Sequence, residues 1–482
     1  MKSIRLVVSA SVCAIALLGG AVYVRAQRGN HDGGGGDHGQ AQDPGVRASS
    51  NGIGQPLTTL TPQQLLFFQD GMSRFLQVDS VSGGAPNEPG IGLGPGFNAT
   101  SCGGCHAQPA AGGTSPSQNQ YPFIGPNPQM QAAIDYGGSN SIPYFITADG
   151  PVREARFPFA VNSNGFPTQT PDGGVHDVFT IAGRQDALTC IMAQPNFNQM
   201  QKFNNIIFRI PTPVFGAGLI ENIPDSTILS NMNANPQLKQ YLGISGHPNT
   251  SGNDGSITRF GWKAQNKSLE IFAGEAYNVE MGVTNELFPN ERANPPATCL
   301  YNSTPEDSTN FNSSGSAIPS DIVAFANFMR FLAPPAQSAQ GIPGNPPPQS
   351  IQNGQAQFSR IHCDTCHTPS MQTGTSTFTP GLSNQAAQLF SDLLVHHMGS
   401  RLADNISQGA AAGDEFRTAP LWGVGQRIFF LHDGRATPAN GGLLRAIEEH
   451  QSNGSEANRV IDLFNQLSPQ DQQDLLNYLR SL

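Results

Sequence analysis

Charge is scarce in this 482-residue chain. Lys, Arg, Asp and Glu together make up 12 % of it, with 35 acidic residues against 25 basic and a formal net charge of −10. No basic run stands out, which excludes an electrostatic nucleic-acid surface and leaves a small basic redox protein as a suitable partner. Long apolar runs are missing too, apart from one near the start, so a membrane enters only if that segment stays uncleaved. Gly (54) and Pro (38) are plentiful instead. Together with a length that allows two or three domains, they predict long ordered loops between modest helices.

The apolar run, from Leu6 to about Val24, follows Lys2 and Arg5 and ends at Val24-Arg25-Ala26. This is the pattern of an export signal over residues 1–26, which implies a periplasmic or secreted protein. Cleavage removes Cys13 with three basic residues and no acid, leaving 22 basic against 35 acidic side chains. Residues 27–56 are Gly-rich and polar without apolar periodicity, and read as a disordered tether.

Six cysteines then remain. Four of them form SCGGCH (Cys102, Cys105, His106) and HCDTCH (Cys363, Cys366, His367). C-x-x-C-H is the attachment signature of a c-type haem: two thiols add to the porphyrin vinyl groups and the next histidine becomes the proximal iron ligand. Zinc would need a second C-x-x-C within tens of residues, and these pairs lie about 260 apart. A redox C-x-x-C does not require the histidine. Two covalently bound haems are therefore expected. Cys190 and Cys299 are left over, and in an oxidising compartment a disulfide between them is preferred to free thiols.

Thr61-Pro62 opens a helix with a hydroxyl cap and proline in the first turn. Ser468-Pro469 repeats that grammar for the C-terminal helix, with Asp471 expected to complete a capping box. A third helix begins near Ser320 and stops at Pro334-Pro335. The Pro/Gly-rich stretch 334–350 reads as a linker between a first haem domain, 57–333, and a second, 351–482. Within the first, residues of about 120–260 mix short apolar runs with turns and read as an insertion of hairpins and irregular loops. The expected fold class is mainly α, with two loop-rich cytochrome c-like haem domains and that irregular or β-hairpin insertion.

The face of each iron opposite its proximal histidine decides its function. Strong ligands on both sides leave an electron carrier, while an open face admits peroxide or dioxygen. For the second haem the candidates are His396, His397, Met398, His432 and His450. For the first, the nearest downstream histidine is His176 and the nearest methionine Met130.

GIGLGPGFNATSCGGCHAQPAAGG, DLLVHHMGSRLAD, EFRTAPLWGVG and FFLHDGRA…RAIEEH closely resemble the bacterial di-haem oxidoreductases labelled thiol-oxidoreductase-like. Those resemble in turn the di-haem cytochrome c peroxidases, the di-haem enzyme that matures methylamine dehydrogenase, and the haem-dependent rubber oxygenases. The resemblance runs from about residue 57 to the C-terminus. It implies that His450 takes the place of the peroxidase methionine, closing the second haem as a bis-histidine site, and it puts His450 ahead of Met398. PANGG looks inserted after His432-Asp433-Gly434-Arg435, a departure that bears on this register. The peroxidases' distal histidine has no counterpart soon after Cys102–His106, which implies an open first haem. In the segment 259–285 Trp262 fits the peroxidase tryptophan between the haems and Glu280 the glutamate beside the open iron, with Glu270 and Glu275 as neighbouring alternatives. Phe272 falls where the rubber oxygenases also carry phenylalanine.

The leading expectation is thus a periplasmic di-haem c oxidoreductase, peroxidase-like, with Glu280, Phe272 and Trp262 at the reactive site. Arg417 and Arg435 are expected to pair with haem propionates, since guanidinium matches carboxylate geometry. The alternatives are a di-haem electron-transfer protein without a substrate, and an oxygenase acting on an apolar polymer. Calcium between the domains has no motif to support it.

Overall fold

The computed structural model describes residues 40–48, 52–86, 88, 90–116, 127–134, 137–138, 140–172, 176–177, 184–291, 295–308, 320–376 and 379–482. The export signal and residues 27–39 and 49–51 of the expected tether lie outside them. Among the described residues there are fourteen α-helices and four small sheets, joined by long loops. The chain from Gln40 to Leu482 forms one compact unit.

Two crossed helix pairs frame the two C-x-x-C-H motifs. Helix Pro62–Leu76 starts as its sequence predicts: the Gln64 amide donates to Thr61 Oγ1 (3.3 Å) and the Thr61 amide to Gln64 Oε1 (3.0 Å), a reciprocal cap. It packs against helix Asp321–Phe331 through Phe68–Phe328 and Phe75–Phe328, with ring centroids 5.4 and 4.7 Å apart. At the crossing sits Gly71, where a Cβ would lie 2.2 Å from the Ala324 carbonyl oxygen. The first amides of Asp321–Phe331 are satisfied by Asp307, whose carboxylate accepts from Asp321 N (2.8 Å) and Ile322 N (3.1 Å).

The second pair repeats the device. Helix Pro348–Arg360 packs on helix Pro469–Ser481 with Phe358 against Tyr478 at 5.7 Å. A Cβ at Gly354 would fall 2.0 Å from the Asp474 carbonyl oxygen. Ser468 caps the C-terminal helix by accepting from the Asp471 amide (3.1 Å). The Asp471 carboxylate takes the Ser468 hydroxyl (2.7 Å) and not the cap amide, so the expected capping box is half-formed.

Between the pairs lies the expected insertion. Strand Glu154–Arg156 runs antiparallel between His176–Asp177 and Ile207–Arg209, and Phe159–Val161 pairs with Pro167–Pro171. The later part is more helical than its turn-rich sequence suggested, with helices Phe197–Lys202, Ala217–Glu221, Asp225–Met232 and Pro236–Leu242. Cys190 and Cys299 are joined in a disulfide.

Two segments read as loose are ordered. Residues 40–48, inside the expected tether, lie against the C-terminal helix: Arg480 grips the Asp43 carboxylate at 2.6 and 2.7 Å, and buried Arg47 donates to the Leu482 carbonyl. The Pro/Gly stretch 334–350 is tied down by Ser338 N to Ser481 O and Ala48 N to Gly341 O, and its last residues already belong to helix Pro348–Arg360. Polar anchoring replaces the apolar period that would have signalled order in the sequence.

Candidate functional site

Each C-x-x-C-H motif is a helical turn, closed by His106 N to Cys102 O (3.0 Å) and His367 N to Cys363 O (2.9 Å). The four motif thiols are free. His106 Nδ1 lies 3.1 Å from the Gly113 carbonyl, with the Thr212 carbonyl also facing the ring, and His367 Nδ1 lies 3.0 Å from the Phe390 carbonyl. A carbonyl at Nδ1 fixes the proton there and leaves the Nε2 lone pair for a metal. Burial lowers the pKa of both rings, that of His367 to about 4, so both are neutral imidazoles.

A cavity of about 80 Å³ opens in front of His106. Cys102, Phe75, Phe272, Trp262 and Phe325 form its apolar wall; Glu154, Arg156, Arg209, Glu275 and Glu280 bring charge into it. Helix Leu269–Met281 places Phe272, Glu275 and Glu280 there, and the inserted sheet supplies the rest: Glu154 and Arg156 alternate with buried Ala155 along their strand. Glu280 is hydrogen-bonded to Glu154. Burial, and then the charge of Glu154, push the Glu280 carboxyl well above the ordinary range, so it holds a proton at neutral pH. Arg156 Nη2 donates to Glu154 Oε2 at 3.1 Å. Glu270 is exposed, outside the cavity, and Glu275 accepts from Asn266.

A larger cavity, about 220 Å³, lies in front of His367. Phe358, Leu421, Val424, Phe430, Leu443, Val460 and Leu475 give it apolar walls, and His396, Met398, His432 and His450 all reach it. Hydrogen bonding separates these four. His396 is clamped on both nitrogens, Nε2 to Asp392 Oδ2 (2.9 Å) and Nδ1 to Glu456 Oε2 (2.7 Å). Burial opposes its charge, but Cys366, Asp392 and the hydrogen bonds outweigh burial and hold its pKa well above the usual value. A doubly bonded imidazolium has no lone pair for iron. His432 stacks on Phe416 at 4.3 Å and meets Trp262 edge-on at 6.4 Å. Its ring makes no hydrogen bond among the described residues. His450 Nδ1 sits 2.7 Å from the Ala446 carbonyl, the same arrangement as at His106 and His367, and His450 lies close enough to depress the His367 pKa.

Trp262 lines both cavities, and its indole Nε1 is fixed by the Ile210 carbonyl (2.9 Å). A third cavity of about 40 Å³ adjoins it, lined by Trp262, Trp422, Phe272, Arg417 and Arg427. Arg417 and Arg427 also face the His367 cavity, and burial with no carboxylate nearby lowers both to about 10. Arg427 Nε and Nη2 are buried without a hydrogen-bond partner. Buried Arg427 and half-buried Arg417, neither beside a carboxylate, neutral histidines whose Nδ1 meets a carbonyl, free thiols and apolar walls fit a haem with its propionates.

Arg435 does not join this set. It pairs with Asp433 (2.6 Å) and Glu449 (3.6 Å) and lines none of the three cavities. His397 is exposed and pairs with Asp414, and Met130 packs in the core cluster of the first half. His176 lies in a strand beside Arg156, its side chain outside the description. Sequence reasoning missed Glu154, Arg156 and Arg427, because nothing local marks them and only long-range pairing brings them to the cavities.

The family described as "Di-haem oxidoreductase, putative peroxidase" matches residues 170–482, well over half of the chain, including the second motif; Cys102–His106 precede the match. No curated protein matches the chain. Among solved structures, hydrazine synthase from Kuenenia stuttgartiensis is similar at 18 % identity and a TM-score of 0.21, over 36 % of this chain. This chain spans 58 % of the length of that one. A MauG-like protein associated with microbial copper homeostasis is similar at 15 % identity and a TM-score of 0.26, over 57 % of this chain and 91 % of that one. The chain belongs to the di-haem oxidoreductase family.

Proposed function

We propose that this is an exported di-haem c peroxidase with two unlike haem sites, fused as two cytochrome c-like units in one body. Cys102 and Cys105 would hold the first haem with His106 as proximal ligand, and Cys363 and Cys366 the second with His367. His450 would be the other histidine that holds the second haem, which would make it an electron-transfer site. The first haem supplies the peroxide-reducing chemistry when bound. Trp262, in the wall of both cavities, shortens the path between them. Electrons come from a small reduced redox protein. The sequence of residues 1–26 supports a periplasmic location.

One observation carries the reading. The cavity before His367 contains a second histidine with its Nδ1 satisfied, whereas the cavity before His106 contains, among the described lining residues, no second histidine but three carboxyl groups and two arginines. Its one methionine, Met329, is packed into the core cluster. Electron transfer without substrate chemistry would need that sulfur, or the imidazole of His176, as a ligand. Phe272 was the reason to consider an apolar polymer as substrate. It shares its cavity with five acidic and basic side chains, which suit the proton transfers of peroxide cleavage.

Glu280, held protonated, is the proton donor for the departing peroxide oxygen. Arg156 sits where it can stabilise negative charge developing there. Peroxide turnover with a reduced small cytochrome as donor tests the proposal. Glu280→Gln is expected to lower kcat/KM by about 10²–10⁴-fold, the usual worth of general acid–base help, while leaving the oxidised optical spectrum unchanged. Full activity in Glu280→Gln, or no turnover by the wild type, would overturn it.

A further inference from the structure

We infer that Glu154, on the strand of the inserted sheet, is a second acid–base residue of the peroxide site and works with Glu280 as a pair. The inference rests on the peroxidase reading above and assigns the proton acceptor that the reading leaves open. Peroxide has two protons to manage. One must leave the oxygen that stays, and one must reach the oxygen that departs. A single protonated glutamate can give a proton but cannot accept one at the same moment.

The geometry divides these roles between two side chains. Glu154 and Glu280 face the same cavity as His106 and are hydrogen-bonded to each other. Two carboxyls in contact share one proton, because both cannot carry charge side by side. Arg156 decides which one is ionised: its Nη2 donates to Glu154 Oε2 at 3.1 Å, and Arg209, paired in register with Glu154 across the sheet, adds a second cation nearby. Glu280 has no salt bridge among the described residues; the Arg156 charge also favours its ionised form, but burial and Glu154 outweigh it, and Glu275 adds a like charge. Glu154 is therefore the carboxylate and Glu280 the acid.

The step balances as follows. Glu154 takes the proton from the peroxide oxygen that stays. Glu280 gives its proton to the other oxygen, the O–O bond breaks, and that oxygen leaves as water. The pair ends with Glu154 protonated and Glu280 ionised, and one proton passed across their hydrogen bond resets it. The remaining oxygen is reduced to a second water by two electrons, from two molecules of a reduced one-electron donor protein, and two protons from solvent.

Two readouts on the holoprotein test this. In infrared pH titration, the protonated-carboxyl band of the wild type should persist above the ordinary glutamate range. The part that persists above the pH at which Asp79 and Glu291 ionise should disappear in Glu280→Gln, and in Glu154→Gln it should titrate at lower pH, because the neighbouring charge that raises it has gone. In peroxide turnover, Glu154→Gln should lose about 10²-fold or more in kcat/KM with the KM for the donor protein unchanged. Glu154→Asp, which keeps a carboxylate, should retain more activity than Glu154→Gln, separating chemistry from folding. A wild type that turns over no peroxide overturns the underlying reading. Wild-type turnover that survives Glu154→Gln, with the band unmoved, overturns this inference alone.

Discussion

His450 presents its Nδ1 to the Ala446 carbonyl, four residues back in the chain, at 2.7 Å. That contact gives it the protonation pattern of the two motif histidines and distinguishes it from His396, whose nitrogens are both taken by carboxylates. Replacing His450 by alanine is expected to convert the low-spin optical and magnetic signature of the second haem to high spin, with the first unchanged. Met398→Ala, in the same cavity wall, is expected to leave both signatures as they are. Absorption and magnetic circular dichroism spectra of the two oxidised variants check this.

Arg427 and Arg435 offer a paired comparison. Arg427 has buried nitrogens without partners beside the His367 cavity, whereas Arg435 is neutralised by Asp433 and Glu449. Removing a cation from the edge of a haem favours its oxidised form. Arg427→Gln should therefore lower the second haem's midpoint potential by tens of millivolts, since about 1.4 kcal/mol corresponds to about 60 mV in a one-electron couple. Arg435→Gln should leave it unmoved. Potentiometric titration distinguishes the two.

The parts of this molecule legible in its sequence are those written in short stretches. Thr61-Pro62 and Ser468-Pro469 announce their helices because a cap is chemistry between neighbours. The C-x-x-C-H motifs announce their histidines for the same reason. Glu154 and Arg156 could not be found that way, since their strand is placed by pairing with residues about fifty positions later. Residues 40–48 read as tether because their order depends on Arg480, at the far end of the chain. Arg435 stands beside a recognisable motif, whereas the burial of Arg427 leaves no local mark in the sequence.

Asp79 gives the folded protein a pH dependence whose sign follows from its surroundings. Burial, then the charge of Asp321, raises its carboxyl from 3.8 to about 7. Across that window the folded chain holds a proton that the unfolded chain has released. This contribution is present at low pH and is lost as pH rises toward 7, on the order of 1 kcal/mol per pH unit. Asp79→Asn should flatten that decline. Urea midpoints of the wild type and the variant, taken below, within and above the window, measure it.

The helix crossings at Gly71 and Gly354 leave no room for a methyl group, because each would meet a backbone carbonyl at 2.2 and 2.0 Å. Gly71→Ala and Gly354→Ala are each expected to destabilise the protein by about 1–3 kcal/mol or more, the usual cost of overpacking. Gly252→Ala, in open space, is expected to do far less. Thermal unfolding of the three variants compares them directly.

The asymmetry between the His106 and His367 cavities is the central claim, and electron paramagnetic resonance of the fully oxidised holoprotein tests it most directly. The account predicts two ferric signals: one low-spin and indifferent to azide, from the haem held by His367 and His450, and one high-spin that azide converts to low spin, from the haem on His106. Two low-spin signals, both unmoved by azide, would contradict it.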